Sequence, residues 1–150
     1  LGIGLSLAPI GAFLAVTGVF DLVPLLFSFA VIFWVSGFDV IYALQDIEFD
    51  QSQKLYSIPS YWGLGKALNI ARGLHVISAS FVIAAFFIGS FYYFYIAGLL
   101  VFVGMLIYQH SIVKSNDLSK VNIAFMTANG IASIVFSVFV LTAIFIQIYF

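Results

Sequence analysis

Apolar residues run almost unbroken through five stretches of the chain, at about 1–19, 22–44, 68–90, 91–110 and 123–150, and polar positions gather between them. Each stretch is close to the ~20 residues that a helix needs to cross the hydrocarbon of a bilayer. Inside lipid no water can satisfy a backbone N–H or C=O, so such a segment must pair its own groups, and a helix does this. No alternation over ten residues suggests the strands of a barrel. The expected fold is therefore an all-α integral membrane bundle of five transmembrane helices, with residues 1–150 forming one domain. The cluster Phe91-Tyr92-Tyr93-Phe94-Tyr95 is expected to be an aromatic belt where one helix turns into the next.

Composition excludes a water-soluble fold. The chain is 64% hydrophobic and 7% charged, against roughly 25% charged in soluble domains. The net charge of -1 and the lack of a basic run exclude a nucleic-acid partner. With no Cys, disulfides and thiolate metal sites are excluded. The opening Leu1-Gly2-Ile3-Gly4 does not read as a signal peptide. All five basic residues fall between the second and third stretches or between the fourth and fifth: Lys54, Lys66 and Arg72, then Lys114 and Lys120. Two connections separated by two crossings lie on the same side. The positive-inside rule makes both of them, about 45–67 and 111–122, cytoplasmic loops and places the C-terminus outside.

The chemistry is concentrated after the second stretch. Asp39, Tyr42, Asp46 and Asp50 stand at i, i+3, i+7 and i+11. If the helix continues, about 100° per residue puts all four on one narrow stripe, with Glu48 opposite. Three carboxylates so placed repel one another and resist burial near lipid, so they call for a cation. Oxygen ligands that leave room for water and phosphate suit magnesium. A diphosphate carrying a lipid tail would place its headgroup at the rim and its chain in the bundle. Ordinary solvated acids would account for Glu48 and could account for Asp50, but account poorly for Asp39, which lies about two turns inside apolar sequence.

The run Gly37-Phe38-Asp39-Val40-Ile41-Tyr42-Ala43-Leu44-Gln45-Asp46-Ile47-Glu48-Phe49-Asp50 resembles the second aspartate-rich motif of the UbiA-type prenyltransferases. Leu55-Tyr56-Ser57-Ile58-Pro59 and Asn116-Asp117-Leu118-Ser119-Lys120-Val121-Asn122 are similar to the branch that holds 4-hydroxybenzoate polyprenyltransferases and the related menaquinone-pathway enzyme. The resemblance implies a nine-helix bundle of which this chain is the C-terminal part, helices five to nine. The partner it lacks is the N-terminal half with the first Asp-rich motif, so half of the site is expected here. It also implies Mg2+-dependent transfer of a polyprenyl group from polyprenyl diphosphate to an aromatic acceptor of quinone biosynthesis. That reaction would take place in a bacterial-type inner (plasma) membrane, with the active site on the cytoplasmic side.

Under that resemblance Asp46 and Asp50 match the magnesium-coordinating positions, and Asp39 matches a metal-binding or supporting position. Tyr42 would orient the diphosphate or a carboxylate. Many members carry a Lys near the position of Tyr56, and Lys54 is the nearest substitute. Lys54, Tyr56 and Arg72 are the candidate diphosphate-binding residues. The rival readings are a membrane transporter or a lipid-diphosphate-binding protein using the same acids. A transporter would place acids near the midplane, often within an inverted repeat, whereas these acids sit at one rim. His75 and His110 each lack a second nitrogen ligand at i+3 or i+4, so packing or hydrogen bonding is expected of them, as of Asn69 and Asn129.

Overall fold

The computed structural model describes residues 1–91 and 93–149, which contain helices and no strand. Helix α1 spans Gly2–Thr17 and ends where Gly18 takes a left-handed φ of 69°. Helix α2, Leu22–Tyr42, starts at an Asp21 cap whose carboxylate accepts from the Val23 N–H at 2.8 Å. A 3₁₀ segment, Ala43–Asp46, leads into α3, Ile47–Ser52. Short α4, Ile58–Trp62, opens on a capping box between Ser57 and Ser60. Then follow α5, Leu64–Gly89, α6, Tyr93–Ile112, a π-helical turn, Ile123–Ala128, and α7, Asn129–Tyr149.

Among the described residues, four helical runs are long and apolar enough to cross a membrane: Leu22–Ser52, Leu64–Gly89, Tyr93–Ile112 and Ile123–Tyr149. The first expected span, 1–19, holds a 16-residue apolar helix, Gly2–Thr17. The expected loop 45–67 is largely helical, because the Asp-rich run continues α2 through α3 and because Gly63, at φ 79°, lets α5 begin at Leu64 directly after α4. Tyr92 of the expected aromatic belt lies outside the described residues.

Two apolar clusters hold the bundle. One joins Val40, Ile41 and Leu44 of α2 to Ala67, Leu68 and Ala71 of α5 and to Val113, Val121 and Ala124 around the α6–α7 connection. It draws both lysine-bearing connections to the same end. The other lies toward the opposite end and gathers Ala30, Val82, Tyr95, Phe102, Ala132 and Ala143. Within the second cluster, Ser78 donates to the Ala30 carbonyl at 2.8 Å, tying α5 to α2. The fully buried Tyr95 donates its hydroxyl to the Val82 carbonyl at 2.7 Å and stacks on Phe91 at 4.7 Å. Tyr95→Phe is expected to keep the stacking, lose the bond and cost about 0.5–1 kcal/mol, read as a lower unfolding midpoint in detergent. In the second connection, bonds from the Ser119 hydroxyl and N–H hold the Asp117 carboxyl below the usual carboxylate range.

Candidate functional site

The end of α2 is where the backbone departs from a regular helix. Asp39 and Tyr42 stand on its last α-helical turn, Asp39 half-buried and Tyr42 exposed. Between Tyr42 and Asp46 the chain tightens to 3₁₀. Three residues per turn instead of 3.6 adds about 20° per step, so Asp46 is carried roughly 80° beyond its place on a straight helix. The expected stripe is therefore widened, from about 80° to about 160° of the helix surface, with Asp46 and Asp50 one turn apart at the rim. Asp46 is exposed and Asp50 partly so. Among the described residues no three His, Asp or Glu side chains converge to enclose a metal ion. The donor set is one of open carboxylates with free lone pairs. That fits an ion which keeps its waters and takes phosphate oxygens, and does not fit a closed cage.

Lys54 closes α3 in an unusual way. The Leu55 N–H reaches back to the Asp50 carbonyl at 2.8 Å, and the Lys54 N–H to the Gln51 carbonyl at 3.3 Å. This is a Schellman motif, whose C′ position takes the left-handed conformation and is normally Gly. Lys54 occupies it at φ 55°, against a steric cost of about 1–2 kcal/mol. Lys54 stands four residues after Asp50, on the turn that ends α3. Tyr56 is 87% exposed, and Lys66 lies over the Trp62 ring at 5.5 Å.

An aromatic ladder runs from the last turn of α2 into the bundle. Tyr42 packs on Phe125 at 4.3 Å, Phe125 meets Phe38 edge-on at 5.4 Å, and Phe38 meets Trp34 edge-on at 5.8 Å. Trp34 then lines an apolar cavity of about 580 Å³ with Phe27, Val82, Phe102, Phe136 and Val140. The π-helical turn holds Phe125, and Asn129 spans it. Its amide donates to the Phe125 carbonyl at 2.9 Å and accepts from Trp34 Nε1 at 3.3 Å. Sequence reasoning gave Asn129 an interhelical role, but nothing in local spacing could name Trp34, 95 residues away, as its partner.

Arg72 lies elsewhere. It is exposed, donates to Asn69 Oδ1 at 2.8 Å, and borders a cleft between α5 and α6 together with His75 and His110. The two histidines join at 2.8 Å, in keeping with the hydrogen-bonding role expected of them. Gln109, within the fourth expected helix, is buried beside them in α6.

Compared with known proteins, residues 1–134 match the model of the UbiA prenyltransferase family. No curated protein and no solved structure matches the chain.

Proposed function

We infer the reaction from one premise: this chain belongs to the UbiA prenyltransferase family. It is accordingly part of a multi-pass membrane prenyltransferase. We propose that it transfers a polyprenyl group from polyprenyl diphosphate to a phenolic acceptor of the 4-hydroxybenzoate type, in quinone biosynthesis, with magnesium. On this reading the carboxylate end of α2 faces the cytoplasm, because Lys54, Lys66, Arg72, Lys114 and Lys120 all belong to that end.

The observation that carries the reading is the continuity from carboxylates to cavity. Asp39, Tyr42, Asp46 and Asp50 mark the polar rim, and the Tyr42–Phe125–Phe38–Trp34 ladder leads from it into the apolar cavity. A headgroup at one end and a hydrocarbon chain at the other match that gradient. Asp46 and Asp50, with Asp39 behind them, would hold magnesium, which when bound supplies positive charge against the diphosphate. Lys54 adds a cation at the same rim, and the Tyr42 hydroxyl can donate to a phosphate oxygen or a carboxylate. Breaking the carbon–oxygen bond leaves an allylic cation on the chain and both electrons on the diphosphate. The ring faces of Tyr42, Phe125 and Phe38 attract that cation and keep water from it. The cation then bonds to a ring carbon of the acceptor, which releases a proton.

Prenyl transfer by the full-length protein in liposomes tests the reading. With a polyprenyl diphosphate, magnesium and a panel of phenolic acids, product is expected for an acceptor of the 4-hydroxybenzoate type. Chelation by EDTA is expected to reduce it to background, and added magnesium to restore it. Product that persists under EDTA would remove the metal from the reaction. A folded protein that binds the diphosphate and prenylates no acceptor would leave lipid-diphosphate binding or transport.

A further inference from the structure

Trp34 is fixed from two sides. Its carbonyl accepts from His75 Nε2 of α5 at 3.2 Å. Its ring stands edge-on to Phe38 at 5.8 Å and to Phe102 of α6 at 5.4 Å. The indole N–H points across to α7, where Asn129 Oδ1 lies 3.3 Å away. An indole can only donate and a carbonyl can only accept, so its two partners fix the Asn129 amide in one orientation. Oδ1 takes the Trp34 N–H, and Nδ2 gives to the Phe125 carbonyl at 2.9 Å. Asn129 is 8% exposed, so either group would be costly to leave without its partner.

The second of these bonds belongs to the π-helical turn. In a regular α-helix the Phe125 carbonyl would accept from the Asn129 backbone N–H. Here that N–H goes to the Met126 carbonyl, and the Asn129 side chain reaches the Phe125 carbonyl instead. The amide therefore hangs the turn on Trp34, a point that α5 and α6 hold still. What the turn carries is the Phe125 ring, packed on Tyr42 at 4.3 Å and edge-on to Phe38 at 5.4 Å. The buried residues of the turn are Ala124 and Ala128, whose single methyl groups give packing little to grip. The hydrogen-bonded amide is what ties this turn to α2.

We propose that Asn129 is a positioning residue of prenyl transfer, acting through Phe125. This role rests on the prenyl-transfer reading, in which the allylic cation forms against the faces of Tyr42, Phe125 and Phe38. That cation has two fates. Bonding to a ring carbon of the acceptor gives the prenylated acid and releases a proton. Bonding to the oxygen of a water molecule gives a prenyl alcohol and releases a proton. Rings held in contact leave water no path from the rim to the cation. Without the amide the turn loses its tie, the Phe125 ring moves off Tyr42, and water reaches the cation. Asn129 bonds to Trp34 and Phe125, inside the bundle, so it governs the fate of the cation and not the binding of the diphosphate.

The ratio of the two products tests this. The full-length protein in liposomes is given geranylgeranyl diphosphate, magnesium and a panel of phenolic acids, and prenyl alcohol and prenylated acid are separated and counted. Asn129→Leu keeps the size and removes both bonds. Its ratio of alcohol to prenylated acid is expected to rise about tenfold, the scale of one lost hydrogen bond, with the KM for the diphosphate unchanged. A tie that served stability alone would lower the amount of active protein and leave the ratio as it was, because each active molecule would partition as before. Trp34→Phe keeps a ring and removes the donor, and is expected to move the ratio the same way. The double change is expected to go no further than Asn129→Leu alone, since the two residues form one link. An unchanged ratio in Asn129→Leu, a ratio that moves only together with the diphosphate KM, or shifts that multiply in the double change overturn the proposal. If Asn129→Leu does not fold, Trp34→Phe decides, and an unchanged ratio there overturns it. An unaltered protein that prenylates no acid of the panel overturns prenyl transfer and this role together, whereas prenylated acid from the unaltered protein with no shift in the variants overturns this role alone.

Discussion

Asp46→Ala and Asp50→Ala, made singly, are each expected to lower magnesium-dependent prenyl transfer by at least about 10²–10³-fold, the scale of losing one preorganised charge-stabilising group. The fold should survive, because Asp46 is exposed and Asp50 partly exposed at the end of a helix that apolar contacts hold. The two carboxylates stand one turn apart on the rim side of the 3₁₀ segment, so each loss should leave the other unable to hold the ion and the diphosphate together. Asp39→Ala should cost less, since the 3₁₀ rotation turns Asp46 and Asp50 away from it. The check is initial rate against magnesium concentration. A shift of the magnesium midpoint with little change at saturation would make these residues aids to metal affinity alone. Wild-type rates in both variants would take them out of the reaction.

Gly37→Ala is expected to be the most damaging single change to the fold. A Cβ at this position would lie 2.3 Å from two atoms of the His75 ring, well inside van der Waals contact. That ring cannot turn aside cheaply, being fixed by Trp34, Gln109 and His110. Overpacking a tight contact costs typically 1–3 kcal/mol, and here the upper end applies, about 3 kcal/mol, with lost hydrogen bonds besides. The measurement is the fraction folded during denaturation in detergent micelles. The double change Gly37→Ala with His75→Ala vacates the collision and should recover part of the loss, a positive coupling that independent sites would not show. If Gly37→Ala is as stable as the parent, the α2–α5 contact is looser than its geometry implies.

The sequence made the membrane helices legible for a reason peculiar to lipid. Where every backbone group must pair internally, a long apolar run has one solution, so the cores of 22–44, 93–112 and 129–149 follow from composition. The ends follow from other forces. Leu64 starts α5 because Gly63 can take a positive φ, and no hydropathy pattern encodes that. The run 45–52 looked like a loop because it is polar, yet polar residues at a membrane rim can continue a helix into water. The acids themselves were visible as a spacing, but not the 3₁₀ turn that spreads them, because nothing in Ala43-Leu44-Gln45-Asp46 disfavours an ordinary α turn. The His75–Gln109–His110 cluster was illegible for the opposite reason. It is made by two helices meeting, and a search for ligands within one helix sees each histidine alone.

The π-helical turn at Ile123–Ala128 bears on how this chain could change through descent. A turn closed by i→i+5 bonds holds about one residue more than a regular one, so it acts as a stored insertion. Deleting a single residue there would let the helix wind regularly with both flanks kept in phase, since five α residues turn about as far as six in the wider π turn, and only the side chains inside the turn would be re-aimed. Phe125, inside the turn, would leave the Tyr42 ring while Asn129 and the rest of α7 kept their seats. Length in this one turn is therefore under a constraint that the identities of Ile123 and Met126, both exposed, do not share: those side chains are free to drift, whereas the number of residues is not.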